Sequence, residues 1–478
     1  MAPAAHRDIH AVSDELDPRR WWALPILLVG SFLSFLDFFV VNIALPAIRD
    51  DLGARAAELQ LVVAGYGIGF AVSLITGGRL GDIFGRKRVF LLGMGGFALA
   101  SALCGLAVNP TMLIASRVIQ AVTAATLTPQ VLAIIRVTFA PQERAFAIGL
   151  YGTSMGFASI VAQVVGGSLV SLDLFGWSWR PIFLINVPIG LLAIGAGACV
   201  LRESRMERRP SLDLVGVGLV SLALVLLIFP LVEGREAGWP PWSFGMLVAS
   251  IPALAGFIGY ERFVVRQRRA PLVALHLFRV PTIAFGLLVS VVFFAGLGVF
   301  FVVLTVFLQS GLGYSAFHAG LMFLPFAVGF SAASSVSGAI AARIGGQVLE
   351  LGMALMVVGL AGVLTVAQME PLLMVPGFLI YGLGQGLAQP GMINAVVGSA
   401  GVSGEDAGAA AGLFLTVAQS SIALGVAAIG DVFFARLGDA PDAADYGAAL
   451  ARALACNLVL LVAALTLVRW RRLRPPSP

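Results

Sequence analysis

Apolar residues follow one another along this chain in runs of about 20, the length at which a helix spans the hydrocarbon core of a bilayer. Short segments of charge, Pro or Gly separate the runs. They are continuous and do not alternate over ten residues as the strands of an outer-membrane barrel do. Cutting at the breaks predicts fourteen helices, near 22–46, 58–78, 89–108, 111–135, 145–170, 181–201, 212–232, 243–264, 282–308, 316–340, 348–368, 371–396, 408–430 and 449–468. The first run carries Asp37 inside it and leads to Pro46, so it is expected to stay attached and not to be cleaved as a signal.

Charge orients the helices. With the N-terminus inside, the loops on that side and both tails hold 23 of the 30 Lys/Arg, the opposite loops hold six, and Arg117 lies within a span. The positive-inside rule then places both termini in the cytoplasm of a multi-pass protein, with an even number of spans. Four clusters carry this bias, Arg79 to Arg88, Arg202 to Arg209, Arg262 to Arg279 and Arg469 to Arg474.

An internal repeat is legible. The segment after span 2 runs from Gly78 through Asp82 to Gly85 and Arg88. The segment after span 10 echoes it, with Gly338 falling on Gly78 and Gly345 on Gly85. This predicts two homologous halves of six helices around a central cavity, with spans 7 and 8 inserted between them. The expected organisation is a cytoplasmic tail (1–21), a first half (22–201), basic loops with the inserted helices (202–281), a second half (282–468) and a basic tail (469–478).

Composition agrees with an all-α integral membrane protein. Of 478 residues 59% are hydrophobic and 12% charged, too little charge for a soluble domain of this length. The net charge of +5 is spread over loops and forms no patch for nucleic acid. Cys104, Cys199 and Cys456 sit in apolar stretches, and the four histidines are scattered, so neither a disulfide framework nor a metal site is expected. Arginine outnumbers lysine 29 to one, which together with abundant Ala and Gly fits a GC-rich bacterial genome.

Two charges stand inside spans. Asp37 in span 1 and Arg117 in span 4 come to a similar depth at 1.5 Å per residue. A charge at that depth is costly unless it is paired, protonated or in contact with water. Three roles are open: a proton carrier tuned by a neighbouring guanidinium, a static ion pair that fixes packing, or a counter-ion for a cationic ligand. Between spans 2 and 3, the glycines and Asp82 predict a sharp turn in which Asp82 bonds to Arg86, to Arg88 or to a helix end of the other half, closing the cytoplasmic side. Further embedded polar groups are Asn42, Gln120, Gln163, Gln385, Gln389, Asn394 and Gln419. Asn42, Gln120, Gln163 and Gln385, with Phe294, are candidates for a substrate cavity. Phe293, Phe294, Phe300, Phe301 and Phe307 in span 9 have two readings, the lining of a pocket for aromatic ligands or lipid-facing filler, and for most of them the second is expected. Glu350 and Asp213 lie at span ends, where capping explains them. No Gly-x-x-x-x-Gly-Lys-Ser/Thr loop is present and Lys87 is the only lysine, so a P-loop motor is excluded and no enzyme is expected.

Several of these residues resemble motifs of the major facilitator superfamily, in its fourteen-span drug:proton antiporter branch. Gly78 to Arg88 is similar to the superfamily's Gly-x-Leu-Ala/Gly-Asp-x-x-Gly-Arg-Lys/Arg loop. Leu36-Asp37 through Asn42, Ala44, Leu45 and Pro46 resembles the branch's first-span motif. Arg117 and Gln120 match a span 4 motif whose arginine is tied to proton coupling, and Trp179-Arg180, Phe183, Ile185-Asn186 and Pro188 resemble the start of span 6. Two positions depart from the pattern. Ala162-Gln163-Val164-Val165-Gly166-Gly167 lacks the proline of the antiporter motif, and Ala121 stands where span 4 expects Gly. The resemblance implies a monomeric secondary transporter of the bacterial cytoplasmic membrane that exports lipophilic small molecules by alternating access. It is expected to use a proton gradient and no cofactor, with Asp37 and Arg117 coupling protons and Gly78, Asp82, Gly85, Arg86 and Arg88 gating the cytoplasmic side. A proton-coupled importer of a metabolite and a non-transporting membrane subunit or sensor are the alternatives.

Overall fold

The computed structural model describes residues 19–204, 213–234, 237–267, 271–273, 275–367, 369–397, 407–437 and 441–473. The N-terminal tail, the end of the C-terminal tail and parts of the basic clusters at 202–209 and 262–279 lie outside them. So do the side chain of Asn394 and several others of α5. Among the described residues fifteen α-helices follow one another: α1 (Arg20–Leu52), α2 (Ala56–Phe84), α3 (Arg86–Gly105), α4 (Pro110–Thr138), α5 (Pro141–Leu172), α6 (Pro181–Leu184), α7 (Asn186–Val200), α8 (Leu214–Glu233), α9 (Pro241–Arg266), α10 (Pro281–Val306), α11 (Ala316–Ile344), α12 (Gln347–Val366), α13 (Met374–Val397), α14 (Ala407–Phe434) and α15 (Ala443–Leu473). Thirteen segments, with α6 and α7 joined as one, are long and apolar enough to cross a membrane among the described residues. α5 is 32 residues long and adds the apolar stretch Val161–Leu172.

Local chemistry sets the ends. Proline opens α4, α5, α6, α9 and α10, where a missing N–H costs nothing. The Asn109 side chain accepts the Met112 amide at 2.8 Å and caps α4. Two expectations are refined. Span 6 divides at Ile185, because Pro188 has no N–H to give the Leu184 carbonyl, and the junction carries Asn186 inward. The segment from Gly78 is not a loop: α2 runs on to Phe84, and the chain turns at Gly85 alone, with φ +105°. α11 ends in the same way at Gly345, φ +59°, the position that the sequence repeat aligns with Gly85. Both conformations favour glycine.

The helix contacts repeat too. α1 packs on α5, α2 and α3 on α4, and α3 on α7; α10 packs on α14, α11 and α12 on α13, and α12 on α15. The two groups meet by exchange, α2 against α14 and α5 against α11. α8 and α9 form a hairpin whose α8 lies against α2 and α14. α10 overturns one expectation: every residue from Phe293 to Leu308 is buried, so Phe293, Phe294, Phe300, Phe301 and Phe307 do not face lipid. α10 is contacted by α1, α13, α14 and α15, which surround it. Phe300 stacks on Tyr381 at 4.4 Å between ring centres.

α12 and α13 approach backbone to backbone. A Cβ at Gly352 would lie 2.6 Å from both the Gly384 carbonyl oxygen and the Ala388 nitrogen, and one at Gly359 would lie 2.5 Å from the Tyr381 nitrogen. Gly352→Val is therefore expected to cost about 1–3 kcal/mol through overpacking. Thermal denaturation in detergent checks this, with Gly362→Val, which meets nothing within 4 Å, as the unaffected control.

Candidate functional site

The two embedded charges meet. Asp37 on α1 and Arg117 on α4 are both fully buried, and Arg117 Nη1 forms an ion pair with Asp37 Oδ2. The depth estimate from the sequence thus corresponds to a contact. The rest of the shell satisfies both groups. Asn186 Nδ2 donates to Asp37 Oδ1 at 2.9 Å, and Arg117 Nη1 also donates to Gln120 Oε1 at 2.7 Å. Gln120 Nε2 donates to Ser101 Oγ at 2.8 Å, and Arg117 Nε lies 3.4 Å from the Val62 carbonyl. The guanidinium carbon sits 4.2 Å from the centre of the Tyr66 ring and 5.6 Å from that of Phe183. Five helices, α1, α2, α3, α4 and α7, and Phe183 of α6 thus surround this ion pair and the Gln120 beside it. A pair so held keeps its charges out of water while nearly every polar atom is bonded.

Gln120, a candidate for the substrate cavity, is committed to this network on both amide atoms. Asn42 turns to its own helix, donating to the Phe38 and Phe39 carbonyls at 3.3 and 3.2 Å. Gln163 and Gln385 are buried; both side-chain atoms of Gln163, and Oε1 of Gln385, have no hydrogen-bond partner among the described residues. Phe294 packs edge-on against Phe293 and Phe414. The sequence reading did not single out Ser101 or Tyr66, whose single polar atoms are weak signals inside apolar runs. Asn186 stood in the span 6 resemblance without a role, and the fold supplies one.

At the basic end, Asp82 Oδ1 accepts from Arg86 Nη2 at 3.0 Å across the Gly85 turn. Glu203, which the sequence reading passed over, accepts the backbone N–H groups of Lys87 and Arg88 at 3.1 and 3.2 Å. An anion at the first amides of α3 complements its dipole. Gly78 lies in ordinary contact with Pro129; the close approach of α2 to α4 falls one residue earlier at Gly77, where a Cβ would lie 2.3 Å from the Ala125 carbonyl oxygen, and a Cβ on Gly81 would meet the Gln130 side chain. The partners of Asp82, Arg86 and Arg88 named here belong to the first group of helices.

Contacts between the two groups of helices lie toward the opposite end. Gln309 Nε2 donates to the Ile43 carbonyl at 2.7 Å from a π-helical turn, Phe307–Gly311, that ends α10. The Phe317 amide donates to Ser171 Oγ at 2.9 Å, Gly167 packs on Ala316, and Gly320 packs on the Gln163 carbonyl. Nearer the middle, Thr416 Oγ1 reaches the Ala71 carbonyl at 3.3 Å.

Comparison with known proteins places this architecture. Residues 27–426 match the Major Facilitator Superfamily. The chain is 40% identical to a probable actinorhodin transporter of Streptomyces coelicolor over 91% of its own length and 76% of that protein. It is 35% identical to a tetracenomycin C resistance and export protein of Streptomyces glaucescens, over 91% of this chain and 80% of the relative. A puromycin resistance protein of Streptomyces alboniger is also 35% identical, over 95% and 92% of the two chains. Among solved structures, a bacterial homologue of the lysosomal transporter Spinster superposes with a TM-score of 0.68 at 17% identity, covering 96% of this chain and all of that one.

Proposed function

The chain belongs to the Major Facilitator Superfamily, and from that premise we propose that it is a proton-coupled exporter of lipophilic small molecules of the antibiotic class. The bacterial relatives named for antibiotic export and resistance support the substrate class and the cytoplasmic membrane as its place. The observation that carries the coupling is the buried Asp37–Arg117 pair with Asn186 on its second oxygen. Protonating Asp37 removes one charge of the pair and frees Arg117, which keeps Gln120 and the Tyr66 ring as partners. α1 carries Asp37 and, six residues on, the Ile43 carbonyl that Gln309 of the second group holds. A change at Asp37 therefore acts on a helix that both groups grip.

In this reading fourteen spans form two six-helix halves and an inserted α8–α9 hairpin, with both termini cytoplasmic. The protein works as a monomer by alternating access, driven by the proton gradient without a cofactor. The contacts around Gln309, Phe317 and Gly320 form the closed outer side, and the segment from Gly78 to Arg88 latches the cytoplasmic side in the opposite state. Gln163 and Gln385, whose amides have unpartnered atoms, supply hydrogen bonds to substrate from the cavity wall.

The test is a panel of lipophilic antibiotics added to inside-out vesicles acidified within by respiration. At least one is expected to discharge the pH gradient as it is taken up. Uptake that leaves the gradient unchanged, or a gradient that no member of the panel disturbs, would refute proton-coupled export.

A further inference from the structure

A second group of buried acids lies where the inserted hairpin meets the basic end of α2. Asp213 caps α8, and Glu261 is fully buried in the last turns of α9. Each carboxyl has one oxygen engaged. Asp213 Oδ1 accepts the Gly216 amide at 2.8 Å and the Tyr260 hydroxyl at 3.0 Å, and Glu261 Oε2 accepts the Val273 amide at 3.1 Å. The other two oxygens, Asp213 Oδ2 and Glu261 Oε1, have no hydrogen-bond partner among the described residues. They converge, since a Cβ built on Gly216 would lie 2.5 Å from the first and 2.7 Å from the second. Two carboxylates facing each other away from water repel, and a single proton between them turns that repulsion into an O–H···O bond that satisfies both orphaned oxygens.

We propose that Asp213 and Glu261 form a second proton-binding site, a carboxyl pair that shares one proton and fastens the inserted hairpin to the linker leading into α10. Capping alone, the role that Asp213's position suggests, accounts for Oδ1 and leaves Oδ2 unexplained. Among the described residues, the charged and titratable groups that face the pair are Arg79 from α2 and Tyr260 from α9, and the linker contributes the Val273 amide. Arg79 also donates to the Pro271 carbonyl, so the pair and its cation hold the same short linker at two points, Pro271 and Val273. Loss of the shared proton to the solution at the basic end leaves two negative charges against one guanidinium. The Glu261 carboxylate is then driven from Asp213, and the hold on Val273 loosens. The site lies on different helices from Asp37, apart from the α2 they share as neighbour, and does not require the transport reading.

Infrared absorption of the purified protein reads the proton directly. A carbonyl band of a protonated carboxylic acid is expected in wild type at neutral pH, retained in Asp37→Asn and lost in both Glu261→Gln and Asp213→Asn. Thermal denaturation against pH gives the second readout. Above about pH 4 an unfolded carboxyl releases the proton that the folded pair keeps. The folded state then binds more protons, and stability falls as pH rises until the pair itself has titrated. Glu261→Gln, whose amide N–H replaces the shared proton, is expected to flatten that profile, and Asp37→Asn is not. A band that persists in Glu261→Gln, or its absence from wild type with the same pH profile in both proteins, would overturn the proposal and leave two carboxylates neutralised by Arg79. Neither readout uses transport, so failure of the export reading leaves this test intact.

Discussion

Asp37→Asn is expected to bring antibiotic-driven proton movement in inside-out vesicles down to the background of vesicles without the protein, while exchange of labelled antibiotic across the same membrane continues. The substitution preserves shape: an amide oxygen still accepts from Asn186 Nδ2, and the side chain fills the same fully buried space among α1, α4 and α7. What disappears is the capacity to take up and release a proton. In the alternating-access mechanism proposed above, exchange needs only the rocking of the two halves with substrate bound, whereas net coupling needs the titrating group as well, so the two activities separate if Asp37 is the coupling residue. Asp37→Glu adds a methylene at a fully buried position, pushing the carboxylate away from Asn186 or Arg117, and is expected to retain part of the coupled flux. Proton movement that survives in Asp37→Asn, at wild-type amounts of protein, would show that Asp37 is structural; loss of exchange together with coupling would show a packing role and end the mechanism proposed above.

Arg117→Ala is expected to be the most destabilising single change in the first half. It strands a buried carboxylate, and breaking such a pair from one side costs about 3–5 kcal/mol. It also empties the place above Tyr66, where a guanidinium over an aromatic face contributes about 0.5–2 kcal/mol. Removing both charges should be milder. Asp37→Asn with Arg117→Gln leaves amides that can bond each other and Gln120, so the double variant is expected to denature at a higher temperature than Arg117→Ala. A double-mutant cycle on thermal stability, built from Asp37→Asn, Arg117→Gln and their combination, measures the coupling. A double variant whose loss of stability equals the sum of the two single losses would mean that the charges do not interact. Arg117→Lys tests geometry at constant charge. An ammonium cannot reach Asp37, Gln120 and the Val62 carbonyl from one planar fork, so it should restore part of the stability and little of the coupled flux.

Much of the fold could be read from local pattern. The runs correspond to the helices, with ends shifted by a few residues, and the glycine that turns the chain between spans 2 and 3 has its counterpart at Gly345, as the repeat implied. The segment from Gly78 to Phe84 was less legible, because glycine and charge suggest a loop where the helix in fact continues. The site divided in the same way. Asp37 and Arg117 stood out because a charge within an apolar run is rare, and their pairing followed from counting residues along two helices of opposite direction. Ser101, Tyr66 and Glu203 could not be singled out, since one hydroxyl in an apolar run, or one acid in a loop, resembles many others. Glu261, at the end of a span beside the basic cluster that begins at Arg262, is indistinguishable in the sequence from a solvated acid. The phenylalanines of α10 are ambiguous in the sequence, because an apolar residue in a membrane protein suits lipid and protein interior alike.

The sequence by itself determined that this is a helical membrane protein with a repeated architecture and two charges at matching depth inside its first half. Those properties depend on hydrophobic length, on the count of Lys and Arg in loops and on helical rise, all of which act along the chain. The tertiary structure alone decided which polar atoms meet: that Asn186 takes the second oxygen of Asp37, that Gln120 serves the ion pair, that Gln309 grips α1, and that Asp213 and Glu261 turn their free oxygens toward each other. Such meetings depend on the rotation and crossing of helices far apart in sequence, and in an apolar chain helix periodicity leaves that rotation open. It is set where small residues let backbones touch and where each buried polar atom must find a partner.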